Sequence, residues 1–176
     1  IAIPSWKIAP ALCYGNCVVF KPAELVPSSA WALAEIISRA GLPEGVFNMV
    51  VGPGSEVGDA IINSDAVQAV TFIGSVYTGS MIAQRCAARM VKAQLELGGK
   101  NPLVVLDDAN LEQAVDVAVQ GGFYSTGQRC TASSRVIVTD GIYDDFIKLF
   151  VDKTQALRVG HALDEATQIG PVASEG

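Results

Sequence analysis

Apolar runs rich in β-branched and aromatic residues alternate with amphipathic runs through the first half of the chain. The predicted strands and helices cover, in turn, 16–20, 28–40, 46–51, 55–62, 69–73 and 77–89. Ser28 or Ser29 is the expected cap of the first of these helices, which Gly41 ends. Three successive strand–helix units favour a parallel sheet with helices on its faces. The predicted fold class is therefore α/β.

The same alternation resumes after the Gly98-Gly99 pair. The predicted elements are strands at 103–106 and 135–139 and helices at 109–119 and 143–156. Two adjacent glycines are typical of a hinge, so we place a domain boundary there, giving domains 1–97 and 98–176. Residues 159–176 show no periodicity and are expected to form a loop-rich tail.

Composition excludes several classes of protein. The chain is 50% hydrophobic and only 17% charged, which favours a sizeable buried core over disorder. Twelve basic and eighteen acidic residues give a net charge of −6 without a basic block, so nucleic acid is not an expected partner. The longest apolar stretches are far shorter than the ~20 residues that span a bilayer, so no membrane partner is expected either.

The four cysteines are irregularly spaced, which argues against a disulfide framework and for reduced thiols in the cytoplasm. Three of them, Cys13, Cys17 and Cys86, lie in apolar or helical runs and are expected to be small buried hydrophobes. The single histidine, His161, is distant in sequence from Cys13 and Cys17. No metal site is predicted.

Cys130 differs from the other cysteines because it lies in a polar segment next to Arg129, which could favour the thiolate. Glu96 is the second candidate, since two glycines after it allow close approach of a ligand, and a partly desolvated carboxyl can act as a general base. Together they suggest covalent catalysis at a carbonyl group. Taken singly, each also fits an ordinary role, as a buried thiol or a surface acid.

Two glycine-rich turns follow neighbouring predicted strands, and they contain Gly54 and the pair Gly74-Ser75. Backbone N–H groups at a helix start can hold a phosphate, and the carboxyl ends of adjacent parallel strands are where nucleotides bind. Lys21 and Glu24 follow the first strand and could bind ribose hydroxyls. A simple tight turn remains the alternative for each glycine segment, and a solvated turn for Lys21 and Glu24.

Nearly the whole chain resembles the aldehyde dehydrogenase superfamily in the order and spacing of its short segments. The resemblance is carried by residues 6–12, 15–16, 21–24, 41–46, 72–75, 96–102, 127–130 and 169–171. It implies that Cys130 is the nucleophile and Glu96 the general base of an enzyme that oxidises an aldehyde through a thiohemiacetal and a thioester. Residues 127–135 resemble members that act on carboxylated semialdehydes such as 2-oxoglutarate semialdehyde.

The resemblance also implies a cofactor site. Lys21 and Glu24 would bind the adenosine ribose, Ser75 the pyrophosphate, and the backbone at Leu97 and Gly98 would lie beside the nicotinamide. An acid in the position of Glu24 suits a free 2′-hydroxyl, so NAD is favoured, with NADP as the alternative cofactor.

The family's Pro-Trp-Asn-Phe-Pro segment, whose Asn donates to the oxyanion, is expected immediately before Ile1. Its Glu-x-Phe-Gly-Pro segment and its oligomerisation arm are expected downstream. We therefore expect the second part of a Rossmann-like cofactor domain followed by the first part of an α/β catalytic domain. The parent is expected to be a homodimer or homotetramer, and the isolated chain to be inactive. The alternatives are a nucleotide-binding module without chemistry and a cysteine hydrolase pairing Cys130 with His161.

Overall fold

A computed structural model describes residues 1–174. The chain forms two compact units, Ile1–Glu96 and a second that begins at Leu97. The boundary predicted from the glycine pair lies one residue later than this division.

The first unit contains four α-helices, four strands and one π-helical turn. In chain order they are α1 (Ala2–Cys13), β1 (Val18–Phe20), α2 (Pro27–Arg39), β2 (Phe47–Met49), the π-helical turn (Gly54–Gly58), α3 (Asp59–Asn63), β3 (Ala69–Gly74), α4 (Val76–Ala88) and β4 (Lys92–Leu97). Strands β1 and β2 are parallel, with Val18 opposite Phe47, and β3 pairs with β4. The predicted alternation of strand and helix is confirmed.

The core of the first unit lies between its last helices and strands. Its buried members are Ile62, Ile82 and Cys86, and half-buried apolar residues of β3 and β4 pack against them. Cys86 is 1% exposed, which confirms its prediction as a small buried hydrophobe. The same prediction is wrong for Cys13 and Cys17, which are exposed, because each lies at an element boundary beside a turn that covers neither side chain.

Three local expectations differ from the structure. Helix α1 was not predicted, and it contains Pro10 in its interior. Helix α2 begins at Pro27 with Val26 as its N-cap and without a side-chain cap, so the predicted serine caps are wrong. Proline is suited to this first position because its φ is already helical and its missing N–H is not needed there. The helix predicted at 55–62 is divided into the π-helical turn and α3.

The second unit is a strand–helix–strand–helix arrangement. Its elements are β5 (Asn101–Val105), α5 (Leu111–Phe123), a short turn (Tyr124–Gly127), β6 (Ser133–Val138) and α6 (Tyr143–Gln155). Strands β5 and β6 are parallel, with a register irregularity between Asn101 and Pro102. The described part of the tail, residues 159–174, contains one parallel bridge, between Val159 and Ile169. Its final residues, 175–176, lie outside the described residues.

The core of the second unit lies between its helices and strands. Its buried residues are Val105, Val115, Ala118, Val119 and Phe146. Val115 is 0% exposed and Phe146 1% exposed, so this face of α5 and α6 is fully covered. Among residues 1–174, no helix has the length and apolar character needed to cross a membrane. The same residues contain no cluster of three or more side chains able to hold a metal ion.

Candidate active site

Lys21, Glu24 and Gly54 lie at the carboxyl ends of β1 and β2. Because these strands are parallel, the residues that follow them meet at one edge. Lys21 Nζ donates to the carbonyl oxygens of Pro22 at 2.8 Å and Gly52 at 3.2 Å. The backbone N–H of Gly54 donates to Glu24 Oε1. The structure therefore brings a cation, a carboxylate and a glycine turn together, as the sequence predicts.

Glu24 keeps binding capacity at this edge. Its side chain is exposed, and within residues 1–174 its second oxygen, Oε2, has no hydrogen-bond partner. A Cβ on Gly54 would lie 3.4 Å from Glu24 Oε1, in ordinary van der Waals contact with it. This carboxylate can accept a hydrogen bond from a hydroxyl group without giving up its bond to Gly54.

Gly74 and Ser75 join β3 to α4. Ser75 is the N-cap of α4, and its Oγ accepts from the Thr78 N–H at 3.2 Å. A Cβ on Gly74 would lie 2.5 Å from the ring of Phe72, so a larger residue cannot be accommodated without moving that ring. Both residues are exposed. Free backbone N–H groups at such a helix start can bind an anion.

Glu96 lies near the end of β4 and belongs to a small polar network. Its Oε1 accepts from Gln94 Nε2 at 2.6 Å and lies 3.4 Å from Lys7 Nζ. Gln94 Oε1 in turn accepts from Lys7 Nζ and Thr71 Oγ1, both at 2.7 Å. The Glu96 side chain is 58% exposed, which is more open than the partly desolvated setting expected from the sequence. The carboxylate is held in place yet accessible to water.

Leu97 ends β4, and Gly98 follows it in the link to β5. Leu97 is half-buried and Gly98 is exposed. A Cβ on Gly98 would meet no atom within 4 Å. The backbone here is therefore open to a ligand from at least one side.

Cys130 follows an unusual turn in the second unit. Its thiol is free and the residue is exposed. Ser125, Thr126 and Gly127 have φ values of 54°, 55° and 67°, three left-handed residues in succession. For a residue other than glycine this conformation costs roughly 1–2 kcal/mol, and such strain occurs most often at functional sites. The turn presents Cys130 outside the apolar core.

Hydrogen bonds fix the backbone around Cys130. Asn101 Nδ2 donates to the carbonyl oxygens of Cys130 at 2.7 Å and Ala132 at 3.1 Å. The Arg129 guanidinium donates to the Gln120 carbonyl oxygen at 2.8 Å. Within residues 1–174 the N–H of Cys130 itself donates to no acceptor. An exposed sulfur thus lies beside an available backbone donor, which is the arrangement that addition to a carbonyl requires.

His161 is not arranged as a partner for Cys130. Its Nδ1 accepts from the Leu163 N–H at 3.2 Å. No hydrogen bond joins His161 to Cys130 within the part of the chain that the structure describes. A hydrolase that uses these two residues lacks the contact that activation of the thiol requires.

Three residues of the candidate site were not identified from the sequence: Lys7, Gln94 and Asn101. Lys7 and Asn101 lie within the segments that carry the family resemblance, which was the only available signal. Their partners are far away in sequence, and Gln94 looks like an ordinary strand residue. Pairwise contacts of this kind cannot be read from periodicity.

Comparison with known proteins identifies the family of the chain. The sequence profile described as the aldehyde dehydrogenase family matches residues 1–176. The alpha-ketoglutaric semialdehyde dehydrogenase of Bacillus subtilis (strain 168) is 49% identical over 175 residues, or 99% of this chain and 36% of that protein. The betaine aldehyde dehydrogenase of Mesorhizobium japonicum shows the same identity and coverage. The chain spans about a third of the length of these relatives.

Solved structures agree with the sequence comparison. HpcC from Thermus thermophilus matches 97% of this chain with a TM-score of 0.94 and 45% identity, using 33% of its own length. Betaine aldehyde dehydrogenase from Staphylococcus aureus, in complex with NAD+, matches 98% with a TM-score of 0.95 and 41% identity, using 34% of its length. A profile match along the whole chain, together with these likenesses, shows that the chain belongs to the aldehyde dehydrogenase family.

Proposed function

We propose that this chain carries the nucleophile, the general base and part of the cofactor site of an NAD-dependent aldehyde dehydrogenase. The observation that carries the proposal is the exposed thiol of Cys130, which follows a left-handed turn and lies beside an N–H that donates to no acceptor among residues 1–174. In this assignment residues 1–97 are the second part of the cofactor domain and residues 98–176 the first part of the catalytic domain.

Cys130 is the proposed nucleophile. Its thiolate adds to the carbonyl carbon of the aldehyde, and the carbonyl oxygen becomes an oxyanion that the Cys130 N–H is available to stabilise. The product of the addition is a thiohemiacetal on Cys130. Loss of hydride from its carbon leaves a thioester on the same sulfur. The main-chain contacts of the turn fix the directions of the Cys130 N–H and Cα–Cβ bonds.

The described residues fit NAD. Lys21 and Glu24 offer a cation and a carboxylate with a free oxygen to the hydroxyls of the adenosine ribose. Gly54, Gly74 and Ser75 are assigned to the turns that face the pyrophosphate. NAD, when bound, accepts the hydride that leaves the substrate carbon. Support for this cofactor comes from the Staphylococcus aureus neighbour, which contains NAD+.

Two further features of the cofactor site are proposed. The backbone of Leu97 and Gly98 would hold the nicotinamide side of the cofactor, because the open space at Gly98 permits close approach. The negative charge of Glu24 favours a free ribose hydroxyl over a 2′-phosphate, so NADP is the weaker cofactor.

Glu96 is the proposed general base. It removes a proton from the water that attacks the thioester, which releases the carboxylic acid and restores Cys130. The contacts with Lys7 and Gln94 orient the carboxylate, and its 58% exposure provides access for water. General-base catalysis typically contributes about 100- to 10,000-fold to a rate.

The proposed substrate is a carboxylated semialdehyde of the 2-oxoglutarate semialdehyde type. The Bacillus subtilis relative carries that activity in its name, whereas the Mesorhizobium japonicum relative is named for betaine aldehyde. We further propose a cytoplasmic homodimer or homotetramer, for which the family resemblance is the support. Since the chain spans 36% of these relatives, we assign the activity to a family-length protein and not to the 176 residues alone.

The decisive experiment compares Cys130→Ala with Cys17→Ala in a family-length protein that carries this sequence. Both thiols are exposed, so the second variant controls for loss of a surface thiol. Activity is measured with a semialdehyde, betaine aldehyde and a neutral aldehyde, each with NAD and NADP. Cys130→Ala should abolish aldehyde oxidation and Cys17→Ala should retain it. Retained oxidation in Cys130→Ala contradicts the proposed nucleophile, and NAD binding without any oxidation in the unaltered protein indicates a non-catalytic nucleotide-binding module.

A further inference from the structure

We propose that Asn101 is a positioning residue for the nucleophile, an inference that rests on the role proposed above for Cys130. Asn101 is the first residue of β5. Its side-chain nitrogen donates to the carbonyl oxygens of Cys130 and Ala132, at 2.7 and 3.1 Å. One side chain thus holds the main chain on both sides of Thr131.

A primary amide suits the chemistry of this contact. Two carbonyl oxygens converge on one terminal atom, and the –NH₂ group supplies two hydrogens from a single nitrogen. An aspartate in the same place would direct an oxygen at two other oxygens. A serine would supply one hydrogen and could satisfy only one of the two carbonyl groups.

The contact fixes more than the carbonyl of Cys130. The Ala132 N–H donates to the Arg129 carbonyl oxygen at 3.0 Å, which closes a turn around the thiol-bearing residue. Ala132 is 6% exposed and is therefore packed against the rest of the unit. With this turn closed and anchored, the directions of the Cys130 N–H and Cα–Cβ bonds are determined.

The segment before Cys130 makes such an anchor necessary. Ser125 and Thr126 have positive φ values, and a strained turn persists only when its surroundings hold it. The Arg129 guanidinium holds the preceding side through the Gln120 carbonyl oxygen. Asn101 holds the main chain at and after Cys130, through the carbonyl oxygens of Cys130 and Ala132.

The test is steady-state kinetics on Asn101→Ala in the family-length protein, with Asn48→Ala as the matched control. Asn48 also donates to two carbonyl oxygens, those of Gly45 at 2.8 Å and Val18 at 3.5 Å, but it lies in the first unit. A displacement of about 1 Å at a reacting group can cost about 100-fold in rate, so kcat should fall about 10- to 100-fold in Asn101→Ala. KM for NAD should stay within about two-fold.

Rates are normalised to the concentration of folded protein, measured by circular dichroism on the same sample, so that partial unfolding does not imitate a loss of kcat. Asn48→Ala should keep kcat within about two-fold of the unaltered protein. If Asn101→Ala does not fold, Asn101→Ser is measured, and it should show a smaller loss of kcat. A normalised kcat unchanged in the folded variant overturns the inference.

The proposed function and the positioning role fail on different results. If Cys130→Ala retains activity, the proposed function fails whatever Asn101 does. If Cys130→Ala is inactive and the folded Asn101 variant turns over at the normal rate, only the positioning role fails. Equal losses in kcat from the Asn101 and Asn48 variants would also overturn it, because the effect would then be general destabilisation.

Discussion

Lys7 Nζ lies 3.4 Å from Glu96 Oε1, which joins a residue of the first helix to the end of the fourth strand. The Lys7 side chain is 22% exposed and that of Glu96 is 58% exposed. Gln94 links the same two residues by hydrogen bonds of 2.7 and 2.6 Å. The proposed base is therefore oriented by two side chains, one of which lies in a helix that the sequence did not predict.

The first prediction concerns the step assigned to Glu96. In a family-length protein, Glu96→Gln should still produce about one equivalent of reduced cofactor per Cys130, since that stage precedes hydrolysis. Continued turnover should then fall about 100- to 10,000-fold, because the base is missing. Rapid-mixing measurement of the burst and the steady state separates the two stages. A normal steady-state rate would contradict the assignment.

Lys7→Met should give a milder form of the same result. The substitution removes the ammonium group but leaves the hydrogen bond from Gln94 to Glu96. We therefore expect a loss of about ten-fold in the steady-state rate, with the burst retained. Lys92→Met, which alters a lysine of the same strand as Glu96, is the control. A lost burst in Lys7→Met would show that Lys7 acts earlier than proposed.

The second prediction concerns the choice of cofactor. Glu24→Gln keeps an oxygen that can accept from the Gly54 N–H but removes the charge. Hydrogen bonds to charged groups contribute about 1.5–3 kcal/mol, so kcat/KM for NAD should fall about ten-fold or more. The ratio of NAD to NADP efficiency should fall with it. Glu35→Gln removes an exposed charge elsewhere in the first unit and should leave the ratio unchanged; equal effects of the two variants would refute the role of Glu24.

The third prediction concerns the turn before Cys130. Gly127 has a φ of 67°, and a Cβ there would lie 2.8 Å from the Gly122 carbonyl oxygen. Gly127→Ala therefore combines a left-handed strain with a backbone clash. Gly41 has a φ of 78° with no atom within 4 Å, so Gly41→Ala carries the strain alone. Chemical denaturation should show that Gly127→Ala lowers the free energy of unfolding by about 1–3 kcal/mol more than Gly41→Ala does. Equal losses in the two variants would contradict a clash at Gly127.

The fourth prediction concerns the contact between α5 and α6. Lys153 Nζ donates to Asp116 at 2.6 Å and to Glu112 at 2.7 Å. These two bonds raise the pKa of Lys153 above its ordinary value of 10.5, and the bond with Asp116 has the larger effect. A raised folded-state pKa stabilises the protein fully below the unfolded value, and the contribution is lost as pH rises through the folded value.

Thermal denaturation of Lys153→Met should therefore show a small loss of Tm at pH 8 that disappears as pH rises above 10.5. Lys148→Met is the control, since Lys148 lies on the same helix and forms no ion pair within residues 1–174. If the Tm difference between Lys153→Met and the unaltered protein grew as pH rose, it would contradict a stabilising role for the bonds of Lys153 with Asp116 and Glu112.

The strand and helix order could be predicted because it depends on local periodicity. Helices α4, α5 and α6 lie close to their expected positions, since each has one apolar face directed at a core. Helix α1 escaped prediction because Pro10 lies inside it and proline normally argues against a helix interior. The start of α2 was misplaced because Pro27 occupies its first position, so that Ser28 and Ser29 lie inside the helix and not at its cap.

The site could be predicted only in part. The family segments led to Cys130 and Glu96 as candidates, and the strand ends led to Lys21 and Glu24. The left-handed conformations of Ser125 and Thr126 could not be predicted, because neither is a glycine. The contacts of Asn101 with Cys130 and of Lys7 with Glu96 depend on which distant segments meet, and this information is absent from local patterns.

The hydrogen bonds from Asn101 and Arg129 that hold the main chain around Cys130 are accepted by main-chain carbonyl oxygens, and within residues 1–174 no hydrogen bond involves the sulfur. A nitroxide or a fluorophore attached to that sulfur would therefore start from a backbone of defined geometry. With Cys13 and Cys17 replaced, position 130 becomes a fixed reference for spectroscopic distance measurements to any other part of the protein.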